Sequence, residues 1–169
     1  MKVLIVSDTH GLTDELTELK ARYRGEVAAM IHCGDSELAP DEDAIADFIA
    51  VEGNCDRPGS YPEEQIVRLD HLSALIVHGH LQNVKASPQR LLTRAAAVNA
   101  QIVCHGHTHC AGVRYEAGRF IVNPGSLSQP RNYREGTYVV LEETEDFLAF
   151  QFYNGKHERV PEFSSVFPR

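Results

Sequence analysis

Residues 3–6 form a short apolar run (VLIV) that stops abruptly at Ser7-Asp8, the signature of a buried strand rather than a helix. Leu12, Leu16, Leu19 and Tyr23 then recur at helical spacing behind Thr13, a residue suited to an N-cap, so a helix is predicted over 12–23. A second buried strand is predicted at 28–32, ending at Gly34-Asp35. An acidic helix is expected around 41–47, followed by a short strand at 48–51 that runs into Gly53. Strands at 65–69 and 74–77, separated by Asp70-His71, read as a hairpin.

Ser87-Pro88 places an N-cap before a proline at the first helical position and opens a helix to about Val98. Beyond a strand at 101–104, the runs 113–115, 120–122, 137–141 and 147–153 read as mostly antiparallel strands. Alternating strand and helix early, with a strand-rich later half, predict α/β layers built on two sheets.

Length and charge narrow the possibilities. A chain of 169 residues buries a substantial core as one domain, residues 1–169. With 24 acidic against 16 basic residues the formal charge is −8, which leaves no basic footprint for long nucleic acid. A phosphate-bearing small molecule stays compatible with that charge if bound cations supply local positive charge. The first apolar run is too short for a signal peptide or a membrane span, so a cytoplasmic protein without membrane attachment is expected. Cys33, Cys55, Cys104 and Cys110 contain no C-x-x-C pair; in a reducing compartment they are expected to be free thiols.

Candidate chemistry falls repeatedly just after a strand-like run: Asp8 and His10, Asp35, Asn54, His78, and His107 with His109. Strand ends converge at one edge of an α/β sheet, which lets such distant residues meet. Taken singly, Asp8 and Asp35 also read as caps, Asn54 as a turn residue and His78 as a satisfied core histidine. The run HGHTH (105–109) points more directly to metal binding.

The ordered series DTH (8–10), GD (34–35), GNCD (53–56), HGH (78–80) and GHTH (106–109), extended by NPGS (123–126), resembles the calcineurin-like metallophosphoesterases. In its small size it is most similar to their compact bacterial and archaeal phosphodiesterase branch. The resemblance implies a four-layer α/β/β/α sandwich with two mixed β-sheets and two divalent metals at one edge. It implies a first metal on Asp8, His10 and His109, a second on Asn54, His78 and His107, and Asp35 as the bridge. Oxygen and imidazole ligands suit Mn, with Fe, Ni or Zn as alternatives.

The implied nucleophile is a metal-bridging hydroxide acting on a small phosphoester, most simply a phosphodiester. His80 is assigned to substrate contact or proton donation, with a supporting role as the alternative. Arg131 is a candidate phosphate clamp that also reads as an ordinary surface arginine, and Ser126 reads as a turn residue beneath the site.

Many relatives carry a histidine where Cys55 stands, and that histidine is thought to protonate the leaving oxygen with the neighbouring carboxylate orienting it. Here Asp56 is present without the ring. Cys55 is therefore a weak donor, or a thiolate beside the cations that cannot donate, or a small packed residue; the first two favour substrates with good leaving groups. Two rival readings are a protein-binding scaffold on the same fold, which the complete ligand set disfavours, and a nuclease, which the charge disfavours.

Overall fold

The computed structural model describes all 169 residues. Its elements are β1 (Lys2–Val6), α1 (Asp14–Tyr23), β2 (Ala29–His32), β3 (Ile49–Ala50), β4 (Glu64–Arg68), β5 (Ser73–Val77) and α2 (Gln89–Ala97). They continue with β6 (Ile102–Cys104), β7 (Gly112–Glu116), β8 (Arg119–Asn123), β9 (Thr137–Glu143), β10 (Phe147–Asn154) and β11 (Ser165–Pro168). No helix is long and apolar enough to cross a membrane.

The strands form two mixed sheets, in the orders β11-β10-β9-β1-β2-β3 and β4-β5-β6-β8-β7. In the first, β1, β2 and β3 are parallel and β9 joins β1 antiparallel. In the second, β5, β6 and β8 are parallel while β4 and β7 are antiparallel edges. The later strands pair mostly antiparallel, as expected, in β7–β8 and β9–β10, with the parallel β6–β8 contact as the exception.

Alternation along the strands sorts side chains into layers. Val3 and Ile5 of β1 meet Ala74 and Ile76 of β5 in the core between the sheets. Leu4 and Val6 face the other way, onto Leu16 and Leu19 of α1. Leu75 and Val77 likewise face Leu91, Leu92 and Ala95 of α2. The order is helix, sheet, sheet, helix, the four layers that the resemblance implied.

Three local expectations are corrected. The acidic segment 41–47 forms turns, not an α-helix. Its bonds are mainly i to i−3, and the Glu42 carboxylate accepts from the Ala39 amide at 3.0 Å. Asp and Glu side chains competing for backbone in this way favour turns. In α2, Pro88 is itself the N-cap; Ser87, one residue earlier, accepts from the Gln89 amide through Oγ at 3.1 Å. α1 begins at Asp14 rather than Leu12, with Thr13 at the N-cap position but making no side-chain bond there. The sequence pattern also missed β11, a four-residue edge strand on β10 with alternate residues exposed.

Candidate metal centre

Parallel strands present equivalent ends at one edge. β1 runs into Asp8, β2 into Gly34-Asp35, β3 toward Asn54, β5 into His78, and β6 into His105–His109. Backbone bonds lock these exits together. The Asp8 amide donates to the Gly34 carbonyl and His10 to the Asp35 carbonyl, each at 3.0 Å. Within the second sheet the Gly106 amide donates to the His78 carbonyl at 2.9 Å, and across the sandwich the His107 amide donates to Asp8 Oδ2 at 3.1 Å.

The exits are conformationally strained. Asp8, His10, Asp35, His107 and His109 all hold positive φ, between 44° and 70°, a region that non-glycine residues adopt infrequently and that tends to cluster at functional sites. Asp8, Asp35 and His107 stand two or three residues past the ends of β1, β2 and β6, and His10 and His109 two residues further along the first and last of these loops. Glycine is required where backbone meets these side chains. A Cβ on Gly53 would overlap the Asp35 carboxylate, and one on Gly106 would overlap Ser7 Oγ and the Asp8 carboxylate.

Asp8 lies at the centre. Its Oδ2 accepts from Ser7 Oγ at 2.6 Å and from the His107 amide. Its Oδ1 is buried and has no hydrogen-bond partner. Around Oδ1 stand three imidazole Nε2 atoms: His109 at 3.1 Å, His10 at 3.8 Å and His78 at 3.8 Å. His78 Nδ1 lies 2.7 Å from the Cys33 carbonyl and His109 Nδ1 2.8 Å from the Gln129 carbonyl. A carbonyl only accepts, so each ring donates from Nδ1 and turns its Nε2 lone pair inward.

His78 Nε2 also lies 3.1 Å from Asp35 Oδ2 and 3.1 Å from Asn54 Oδ1. The Asp8, His10 and His109 donor atoms lie within 4.8 Å of one another, as do those of Asp8, Asp35 and His78. His107 stands just outside these groups, its ring 5.1 Å from that of His78.

An orphaned buried carboxylate oxygen facing inward lone pairs is an arrangement that a divalent cation completes. The donor set therefore fits the metals that the sequence implies. Both Asp8 and Asp35 lie between imidazoles.

The electrostatics have identifiable causes. Burial pushes the Asp8 and Asp35 carboxyls up, but the neighbouring imidazoles outweigh it: His109 and His78 hold Asp8 low, and His78 pulls Asp35 to about 2. For His78, burial works downward, yet Asp35 and Asp8 raise it above its usual value. Burial, together with His78, lowers His107 to about 4 and also lowers His80. Burial first, then Asp35, push the Cys55 thiol up to about 11.

The remaining candidates sort out by contact. Cys55 is exposed; its sulfur lies within 4.8 Å of His10 and Asp35 donor atoms and accepts from Asn54 Nδ2 at 3.5 Å. His80 packs its ring 5.4 Å from His78, with a buried Nδ1 that has no partner. Arg131 donates its backbone amide to the His109 carbonyl at 3.1 Å and leaves its side chain exposed. Ser126 is more than a turn residue: its Oγ donates to the Asp8 carbonyl at 2.7 Å and accepts from the Gln129 amide at 2.8 Å.

Asp56 accepts from the amides of Asp35, Glu37 and Gly53 at 2.8, 2.8 and 2.7 Å, so it clamps loops together instead of waiting for a ring to orient. Sequence reasoning also missed His32, fully buried beneath the site. It accepts from the Gly34 amide at 3.1 Å and holds Thr9 Oγ1 at 2.9 Å. The only signal for it was a histidine at the end of β2, just before Cys33-Gly34-Asp35.

Comparison with known proteins identifies the family. A family model described as a calcineurin-like phosphoesterase superfamily domain matches residues 1–146. The chain is 38% identical over 154 residues to the probable metallophosphoesterase YsnB of Bacillus subtilis, covering 91% of each chain. It is 26% identical over 169 residues to the phosphodiesterase YfcE of Escherichia coli, covering 84% of this chain and 88% of that one. A crystal structure of a predicted phosphoesterase from Streptococcus pneumoniae superposes with a TM-score of 0.94 at 34% identity, over 99% of this chain and 97% of the other.

Proposed function

This chain belongs to the calcineurin-like phosphoesterase superfamily, and from that premise we propose that it is a metal-dependent phosphodiesterase acting on small phosphoesters. The observation that carries the reading is the unpartnered Asp8 Oδ1 facing the Nε2 atoms of His10, His78 and His109. Two divalent ions are proposed, Mn before Fe, Ni or Zn. Asp8, His10 and His109 would hold one, Asn54, His78 and His107 the other, and Asp35 both. When bound, such ions lower the pKa of water toward neutrality and offset charge on the phosphoryl oxygens.

The chain's own residues set the rest. Carbonyl contacts at Nδ1 keep His78 and His109 in the ligating tautomer. Ser126 and Gly106 hold the Asp8 loop against the opposite sheet. Arg131, anchored through its backbone to His109, would bind a phosphoryl oxygen. His80 would meet substrate from the His78 side. At the position expected for a proton donor stands the Cys55 thiol, whose reference pKa of about 8.5 makes it a weaker general acid near neutral pH than an imidazole. That supports diesters with good leaving groups over alkyl monoesters, whose departing oxygen needs a proton. The formal charge of −8 disfavours long nucleic acid.

The test is hydrolysis of bis(p-nitrophenyl) phosphate and p-nitrophenyl phosphate by chelator-stripped and Mn-loaded protein. Activity only after loading, with the diester preferred, is expected. Equal rates in both states would overturn the reading, and inertness with every metal would favour the scaffold alternative.

A further inference from the structure

Beside Cys55 the loops 37–40 and 55–60 line a half-open pocket of about 690 Å³ in which, Cys55 apart, no residue has a part in the proposed hydrolytic chemistry. It borders the metal centre at two residues. Cys55 lines it and lies within 4.8 Å of His10 and Asp35 donor atoms, while Glu37 on the opposite wall has Oε1 3.5 Å from His10 Nδ1.

The walls are rigidly built. Arg57-Pro58-Gly59-Ser60 is a tight turn closed by the Ser60 amide on the Arg57 carbonyl at 3.0 Å, with Gly59 at φ 81°. Proline second and glycine third is the pattern of a type II turn. Asp56, on one side of the turn, accepts the Asp35 and Glu37 amides. Tyr61, on the other, donates to the Leu38 carbonyl at 2.8 Å. Both ends of the turn are thus tied to the facing loop.

The lining has a definite chemistry. Arg57 is its only cation, and the arginine ion pairs of this protein involve Arg94, Arg114, Arg134 and Arg169 instead. Ser60 Oγ is buried and without a partner. Leu38, Pro40 and Pro58 supply apolar surface.

We propose that this pocket binds one ester arm of the substrate and that Arg57 selects an arm bearing a second phosphate, as in a nucleotide-like diester. A guanidinium free of carboxylates pairs with phosphate in a two-pronged geometry. The Ser60 hydroxyl donates to the same group or its sugar, and the proline faces receive a flat ring. The proposal rests on the phosphodiesterase reading for its substrate, but its binding can be measured separately.

The experiment uses Mn-loaded protein and compares calorimetric affinity for adenosine 3′,5′-bisphosphate with that for 5′-AMP. One phosphate can sit at the metals in either ligand, so the preference reports the second. The wild type is expected to favour the bisphosphate by about tenfold or more, the scale of a hydrogen bond to a charged group. Arg57→Ala should bring the ratio to one, Arg57→Lys should keep part of it, and Ser60→Ala should lower it less.

Hydrolysis of bis(p-nitrophenyl) phosphate by Arg57→Ala should stay within about threefold of wild type, because neither nitrophenyl arm carries a phosphate. A hydrolytically active wild type with no bisphosphate preference, or an Arg57→Ala protein that keeps the preference, overturns this assignment. A wild type that shows the preference without hydrolysing any ester would instead overturn the phosphodiesterase reading.

Discussion

Asp56 and Cys55 are neighbours with different tasks. The three backbone amides on Asp56 leave little of its carboxylate to orient a ring placed at position 55. Cys55→Ala should therefore keep diesterase activity within about threefold. Cys55→His should gain monoesterase activity only toward the low end of the roughly 10²–10⁴-fold that general acids supply. Rates across an aryl ester series, at matched metal content, check this; an unchanged dependence on leaving-group pKa would remove the proton-donor role from this position.

His32 gives a second residue-scale prediction. Burial lowers its pKa from 6.5 to about 4. The unfolded chain binds the proton first, so this histidine's contribution to stability falls as pH drops from about 6.5 to about 4, by roughly 3 kcal/mol. Urea melts of metal-stripped protein at pH 7 and pH 5 should show the loss. His32→Asn should be less stable at pH 7 but show a flatter pH dependence.

At the scale of elements, the function depends on how strands end. Five of the proposed ligands sit in the left-handed region in the loops that follow β1, β2 or β6, and glycines give the carboxylates room. Gly106→Ala would force a methyl into Ser7 and Asp8. It should weaken metal binding by about tenfold or more while leaving the circular dichroism spectrum unchanged, since an overpacked contact typically costs about 1–3 kcal/mol. Titration of the stripped variant with Mn measures the loss. Wild-type affinity would mean that the Asp8 loop is not held as tightly as the packing indicates. Leu16 of α1, fully buried against Leu4 and Val6, is the contrasting case: Leu16→Ala should cost about 2–5 kcal/mol in stability while sparing metal affinity in the folded fraction.

At the scale of the whole molecule, the proposed ligands come from both sheets: Asp8, His10, Asp35 and Asn54 follow strands of one, and His78, His107 and His109 follow strands of the other. Metal bound across the sandwich stabilises the native state alone, by about 2.7 kcal/mol per site at a hundredfold excess over Kd. Mn should therefore raise Tm by roughly 5 °C or more, and Asp35→Ala should blunt the shift. Thiol reactivity reports the same architecture. Cys55 and Cys110 are exposed, whereas Cys33 and Cys104 are fully buried between the sheets. A thiol reagent should label the first pair in native protein and the second only on unfolding.

Much of this protein is legible in its residues because the signals are local. Four-residue apolar runs, helical spacing at Leu12–Tyr23 and a polar residue just past each strand all arise from backbone periodicity, so the two-sheet architecture and the candidate ligands could be read together. The proposed roles of those ligands were legible only through resemblance. The acidic turns at 41–47 and the edge strand β11 were not legible, because side-chain competition for backbone and pairing with β10 override intrinsic preference.

Tertiary structure alone decided which groups are already satisfied. Asp56 is consumed by three amides, two from the loop after β2 and one from its own loop, His32 is sealed beneath the site, and Asp8 Oδ1 is left without a donor. A sequence names the groups able to form hydrogen bonds. Only the packing of distant segments determines which bonds they make, and therefore which atoms remain free for chemistry.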